Sequence, residues 1–379
     1  MPRKKADNKA DSGFYSYADI DKLDAVYNLV IGQRSNGKTY GMLKKILDSY
    51  IDDKIPSAYV RREKEEIVKG NIGFIFDVLS GYISERTKDK YNGITYISHA
   101  WYLCKFATDQ SGEEKKMAQD RTPFCRAYAI STADKTKGAD PGAVKYIVFD
   151  EFITRRYYLT NEFVLFQNLL SSIIRNRDGV KIYMLGNTVN KYCPYFADMG
   201  LHDIADMDAG TIDLYVVGRS KTKIAVEYCA TAKSTKKVSK YFAFDNPQLT
   251  MITTGAWEIA LYRHPPDGVG DCEIVRSFFV VFSGKTVQGD IYIYQDYPII
   301  VFHPKTTPLK HPEKDIIYYP DTYDGNPLHQ VALSGGVTRA QRLIEQLIKT
   351  QKTFYSDNTT GEFVNNWLKS ALMPKLIKG

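Results

Sequence analysis

The stretch Gly32-Gln33-Arg34-Ser35-Asn36-Gly37-Lys38-Thr39 decides the fold. It matches the GxxxxGK[ST] pattern, follows an apolar, β-branched run at 26–31 and opens a helical pattern over 38–50. That strand, loop and helix are the context a phosphate-binding loop requires. The terminal glycines let the backbone curl so that N–H groups of the loop face phosphate oxygens. Lys38 then sets a cation beside the β- and γ-phosphates, and Thr39 offers a hydroxyl to Mg²⁺. Arg34, inside the loop, reads either as a γ-phosphate contact in cis or as a surface arginine.

A second element sharpens the reading. Tyr146-Ile147-Val148-Phe149-Asp150-Glu151 is an apolar run that ends in two carboxylates, the expected partner of a P-loop. Asp150 would hold Mg²⁺ through water, and Glu151 would polarise the attacking water, which separates a hydrolase from a switch that only binds nucleotide. The apolar residues of 163–174 read as core packing, and Arg175-Asn176-Arg177 follow them. Either arginine reads as a group that reaches a neighbouring subunit's γ-phosphate or as a helix-end cation. The run 181–185 reads as a strand that ends at Gly186-Asn187-Thr188, with Asn187 as a γ-phosphate sensor or a turn residue.

Working outward, strands alternate with helices over roughly the first 205 residues, with a further strand at 58–61, which predicts a mostly parallel α/β sheet. Residues 1–12 read as a solvated basic tail and 13–205 as the P-loop domain. The span 206–245, which holds Arg219, Lys221, Lys223, Lys233, Lys236, Lys237 and Lys240, reads as a basic linker or lid. After it the order reverses. Strand-like runs at 274–282, 290–294, 299–303 and 316–319 precede helical patterns at 338–354 and 362–372, so 246–379 reads as a smaller α+β domain.

The chain has 379 residues, a net charge of +7 and ordinary globular proportions, 44% hydrophobic and 25% charged. A length of this size fits two domains. No window approaches the roughly 18 to 20 apolar residues of a membrane span, so a cytosolic protein without a membrane partner is expected. The five cysteines show no CxxC spacing, which argues against a disulfide framework or a zinc site. The charge balance would favour a polyanion without deciding for one.

Taken together, Tyr27-Asn28-Leu29-Val30-Ile31-Gly32 into the P-loop, Tyr59-Val60-Arg61-Arg62, 147–153, Arg175-Asn176-Arg177, and Asn187 with Pro194-Tyr195-Phe196 resemble the φ29-type DNA-packaging ATPases, relatives of the terminase large subunits. The resemblance covers about residues 14–200. It implies an additional-strand, RecA-like ATPase (ASCE) domain that uses ATP and Mg²⁺. By resemblance, the family's Walker lysine, Mg²⁺ aspartate and catalytic glutamate fall on Lys38, Asp150 and Glu151, and its trans-acting arginine falls on Arg175, with Arg177 as the fallback.

The resemblance also implies partners: double-stranded DNA, the portal of a procapsid, further copies of the chain in a ring, of five by family inference, and a structural RNA. It places the protein in the host cytoplasm and, transiently, at the portal vertex. Arg61 and Arg62 are expected either at the DNA channel or at the nucleotide site, and Lys233, Lys236 and Lys237 are expected to contact DNA. The C-terminal domain is expected to be RNase H-like and degenerate, without nuclease activity. A two-metal nuclease needs converging carboxylates, and the first strand of that domain has none from Val275 onward. A helicase-like ATPase and a nucleotide-binding scaffold are the competing readings.

Overall fold

A computed structural model describes residues 4–5, 15–33, 36–136, 142–154, 157–159, 161–188, 190, 192–201, 203–229, 261–319, 324–331, 333 and 335–372. The chain divides into two units, Met1–Trp257 and Glu258–Gly379.

In the first unit the parallel strands are β2 (Tyr27–Gly32), β3 (Ser57–Arg61), β7 (Cys125–Ala129), β8 (Tyr146–Asp150), β9 (Lys181–Asn187) and β11 (Thr222–Tyr228). They stand in the order β11-β2-β9-β8-β3-β7. Strand β9 therefore lies between the P-loop strand β2 and the carboxylate strand β8, which is the additional-strand, RecA-like arrangement. Antiparallel strands extend both margins: β10 (Thr211–Val217) and β1 (Lys4–Lys5) beyond β11, and β5 (Ala100–Thr108), β4 (Gly93–Ile97) and β6 (Glu114–Gln119) beyond β7.

Short helices α1 (Ala18–Asp21), α3 (Lys69–Ile72), α4 (Ser80–Arg86) and α6 (Pro194–Asp198) fill the connections. Two longer helices cover the sheet. The apolar stripe Met42, Leu43, Ile46, Leu47 and Tyr50 of α2 (Lys38–Asp53) packs on one face. On the other, α5 (Glu162–Ile174) packs through Phe166, Leu169, Leu170 and Ile173. Strands buried on both faces read as continuous apolar runs, which is why β2, β8 and β9 were legible.

Two expectations need correction. The span taken as a basic lid contains β10 and β11, which join the main sheet. Their buried Ile212, Ile224, Val226 and Tyr228 supply the sheet-facing residues, while Arg219 and Lys221 fall at the exposed turn. The basic tail likewise contributes Lys4–Lys5 as an edge strand against β10.

The second unit holds a six-stranded sheet in the order β16-β15-β12-β13-β14-β17. Strands β12 (Ile274–Phe282), β13 (Lys285–Tyr294) and β14 (Tyr297–Pro304) form an antiparallel meander. Strand β15 (Ile317–Tyr318) runs parallel to β12 and β16 (His329–Gln330) parallel to β15. Strand β17 (Thr353–Tyr355) runs parallel to β14 at the other margin. Helix α7 (Arg339–Lys349) starts at a capping box between Thr338 and Gln341, which satisfies two otherwise orphaned donors. It is shorter than the sequence pattern suggests, since Gln351 takes φ 56° and the chain turns into β17. Helix α8 (Asn358–Leu372) supplies Trp367, which packs on Tyr318.

A buried carboxylate links the meander. Asp290 accepts from Ser277 Oγ at 2.5 Å, Gln288 Nε2 at 2.9 Å and His303 Nε2 at 2.7 Å. Burial pushes its carboxyl up, but the bonds from His303, Ser277 and Gln288 outweigh that and hold it below the ordinary value. The bond to Asp290 in turn raises His303 above its ordinary 6.5, against burial and nearby Lys305. A raised histidine contributes stability that is complete below its unfolded value and is lost as pH rises through its folded value. Thermal melts should therefore show the second unit weakening as pH climbs from about 6.5, and His303→Gln should flatten that slope.

Candidate nucleotide site

The site forms where β2, β8, β9 and β3 end on one edge of the sheet. Beyond Gly32 the loop closes at Gly37, whose φ of 87° is a left-handed conformation that glycine adopts without strain. Arg34 and Ser35 lie outside the described residues; Gln33 and Asn36 are buried at the base of the loop. Lys38 is 5% exposed. Its Nζ donates to the carbonyls of Gly32 (3.2 Å) and Gln33 (2.7 Å) and to the side-chain oxygens of Asn36 (3.2 Å) and Asn187 (3.3 Å). All four acceptors are neutral. Burial pushes the ammonium below its ordinary range, opposed by Cys229 and Asp150, so a buried cation is held where an anion would stabilise it.

Asp150 closes the opposite wall. Its Oδ2 accepts from Thr39 Oγ1 (3.3 Å) and from the Tyr59 hydroxyl, and its Oδ1 accepts the Glu151 amide (3.0 Å). Burial raises its carboxyl, against the pull of Arg61. The juxtaposed hydroxyl and carboxylate are hard oxygen donors of the kind Mg²⁺ takes beside phosphate, so the residues fit a Mg²⁺–nucleotide. A cleft lined by Asn36, Lys38, Thr39, Asp150, Glu151 and Asn187 opens between them.

Glu151 follows with φ 60°, a backbone conformation that is costly outside glycine and concentrates at functional sites. Its exposed carboxylate pairs with Arg61 Nη2 at 2.7 Å, and the same nitrogen bonds Glu66 Oε1 at 2.7 Å. Arg61 also lies 3.9 Å from Asp150. Of its two expected places, Arg61 occupies the nucleotide site.

Arg62 points to the other side of β3 and is buried. Its Nε pairs with Glu162 (2.9 Å), while its Nη2 and Nη1 bond the carbonyls of Phe152 (2.8 Å) and Glu151 (3.3 Å). The guanidinium also lies over the rings of Tyr158 and Phe149. Glu162 accepts further bonds from the Leu159 amide and Tyr195 hydroxyl. Arg62 thus clamps the turn that presents Glu151, and its expected contact with DNA is corrected by this burial. Lys233, Lys236 and Lys237 lie outside the described residues.

Arg175 caps α5 at φ 44° and is exposed, and Arg177 Nη1 bonds the Ile173 carbonyl. Helix α5 carries the chain from the end of β8 back to the start of β9, about 20 Å along its axis, so both arginines sit at the sheet edge away from the P-loop of their own chain. Sequence reading missed Tyr59, Glu66 and Glu162. The alternation along β3 was the available signal for Tyr59, since it places Tyr59 on the face that carries Arg61.

In the second unit Asp290 spends both oxygens on hydrogen bonds, and Asp321 lies outside the described residues. Among the described residues no group of three or more His, Cys, Asp or Glu side chains is arranged to hold a metal ion.

Comparison with known proteins bears on this geometry. The family described as Podovirus DNA encapsidation protein (Gp16) matches residues 115–211. The DNA packaging protein of Bacillus phage phi29 is 27% identical over 186 residues, 48% of this chain and 49% of that protein. The DNA packaging protein of Bacillus phage B103 is 29% identical over 181 residues, 47% of this chain and 49% of that protein. The chain is homologous to these proteins over the matched stretch and spans about half of their length. The solved bacteriophage Phi-29 viral genome packaging motor assembly shares the fold, with a TM-score of 0.53 at 18% identity, covering 94% of this chain and 99% of that one.

Proposed function

From homology to phage DNA packaging proteins, we propose that this chain is an ATP-driven motor subunit that translocates double-stranded DNA through a portal into a preformed procapsid. The observation that carries the reading is the Asp150-Glu151 pair, separated by the single strand β9 from a P-loop whose buried lysine donates only to neutral oxygens. Lys38 is free to exchange those carbonyls for the β- and γ-phosphates. Thr39 and Asp150 would hold Mg²⁺, which when bound neutralises charge on the phosphates. Glu151 is the base that takes a proton from the attacking water, and it reaches that water only after Arg61 releases its carboxylate. Asn187, bonded to Lys38 Nζ, orients the γ-phosphate side of the cleft. Arg175, remote from its own P-loop, serves the site of a neighbouring copy in a ring, with Arg177 beside it.

The ring of five and the use of a structural RNA are family inferences. The work is done in the host cytoplasm, at the portal vertex; among the described residues no helix is long and apolar enough to cross a membrane. The second unit acts without nuclease chemistry, because β12 offers no carboxylate after Glu273 and Asp290 is consumed by Ser277, Gln288 and His303.

The test is steady-state ATP hydrolysis with duplex DNA, single-stranded DNA or neither. Duplex DNA should stimulate turnover without strand separation, and stimulation should fall steeply with salt because a pump grips phosphates rather than bases. Stimulation by single strands with unwinding would point instead to a helicase.

A further inference from the structure

Behind the P-loop, on the side away from the cleft, three segments distant in sequence meet. The chain entering the first unit passes so close to α2 that a Cβ on Gly41 would lie 2.9 Å from the Tyr15 carbonyl and 3.3 Å from the Tyr17 ring. Along this crossing the Tyr15 amide donates to the Asn36 carbonyl at 3.1 Å, and the Tyr17 hydroxyl donates to the Lys38 carbonyl at 2.8 Å. The rings of Tyr15 and Tyr17 pack edge to face, 4.7 Å between centroids. From the third segment, Glu227 on β11 is fully buried and accepts the Tyr15 hydroxyl at 2.6 Å. Two residues on, the Cys229 amide donates to the Ile31 carbonyl at 2.8 Å, so the end of β11 is itself tied to the strand that enters the loop.

We propose that Tyr15 and Glu227 are positioning residues of the nucleotide site: their buried hydrogen bond fixes the segment whose backbone and hydroxyl hold Asn36 and Lys38 in place. The inference rests on the nucleotide-site reading above. Neither side chain lines the cleft, and both act through the loop. A phosphate cradle works by aiming several backbone N–H groups at one point, so a small shift of Asn36 or Lys38 weakens binding while leaving Asp150 and Glu151 untouched. The Tyr15 hydroxyl remains a donor throughout the working pH range, because burial first, then Cys229 and Glu227, push it well above the ordinary tyrosine value. The carboxylate of Glu227 accepts that proton donor in a place water does not reach, which makes loss of the hydroxyl costly.

The experiment is ATP turnover by the full chain, resolved into kcat and KM, with thermal melting recorded on the same samples. Tyr15→Phe is expected to raise KM for ATP by about tenfold, the effect of losing one buried hydrogen bond to an acidic group, with kcat held within about twofold. Glu227→Ala should reproduce this, and Glu227→Gln, which keeps an acceptor oxygen, should return KM to near the wild-type value. If Tyr15→Phe does not fold, Tyr17→Phe, which deletes only the bond to the Lys38 carbonyl, carries the same expectation. An unchanged KM in the folded variants overturns the proposal, as does a fall in kcat alone. A wild-type chain that hydrolyses no ATP overturns the functional reading and this inference together, whereas an active wild type with unchanged variants overturns this inference only.

Discussion

Glu151→Gln should lower ATP turnover by about three orders of magnitude while leaving ATP affinity nearly unchanged. The substitution preserves shape and hydrogen-bonding reach but removes the basicity that draws a proton from water, a contribution typically worth 10²- to 10⁴-fold. Glu151 is placed for this by three separate features. It follows the carboxylate that faces Thr39, it takes φ 60° at the strand end, and its side chain is exposed toward the cleft rather than packed in the core. The backbone strain is sustained by Arg62, which bonds the carbonyls of Glu151 and Phe152 from below. Single-turnover hydrolysis and binding of a fluorescent ATP analogue separate the two quantities. A variant that binds and hydrolyses like the wild type would remove Glu151 from the chemistry.

Arg175→Ala should reduce turnover by roughly 10³-fold, the usual worth of an arginine that stabilises transferring phosphoryl charge, without weakening ATP binding to isolated subunits. The expectation comes from chain direction. The P-loop and Glu151 lie where β2 and β8 end, and α5 then runs its 13 residues back to the opposite edge before β9 begins. Arg175 cannot return to its own cleft without unfolding that helix, so any phosphate it meets under the proposed function is that of another copy. Mixing the variant with wild-type chains should therefore depress activity more than in proportion to its share. Activity that falls only in proportion would assign Arg175 to the helix end, and the same series on Arg177→Ala shows which of the two arginines is used.

The parts of this account legible in the sequence are those whose chemistry is fixed by local spacing. The P-loop, the Asp150-Glu151 strand and Asn187 at the end of β9 each sit on one short run, and their burial on both faces makes the strands continuous and apolar. What escaped depends on contacts between distant positions. Tyr59 meets Asp150 across 91 residues, Arg62 meets Glu162 across 100, and Tyr15 meets Glu227 across 212, and no local pattern announces such pairs. The hairpin β10–β11 escaped for another reason. Its basic residues raised the local charge enough to suggest a linker, although the apolar run Ile224-Ala225-Val226, buried on both faces, already marked a short buried strand. The antiparallel strands β4 to β6 also went unread. Strand β6 is polar and exposed along its whole length, whereas β5, with Trp101, Leu103 and Cys104 buried, mixes apolar and polar positions without a clean period of two.

The central claim is that ATP turnover at this site moves duplex DNA into a capsid, and the most direct measurement is DNA protection. Purified chain would be incubated with portal-bearing procapsids of its own virus, linear duplex DNA and Mg²⁺–ATP, then challenged with a nuclease. Full-length duplex should become nuclease-resistant in the presence of ATP and stay sensitive with Glu151→Gln. Vigorous ATP hydrolysis by the wild type with no protected DNA, in particles shown to accept DNA by other means, would contradict the account.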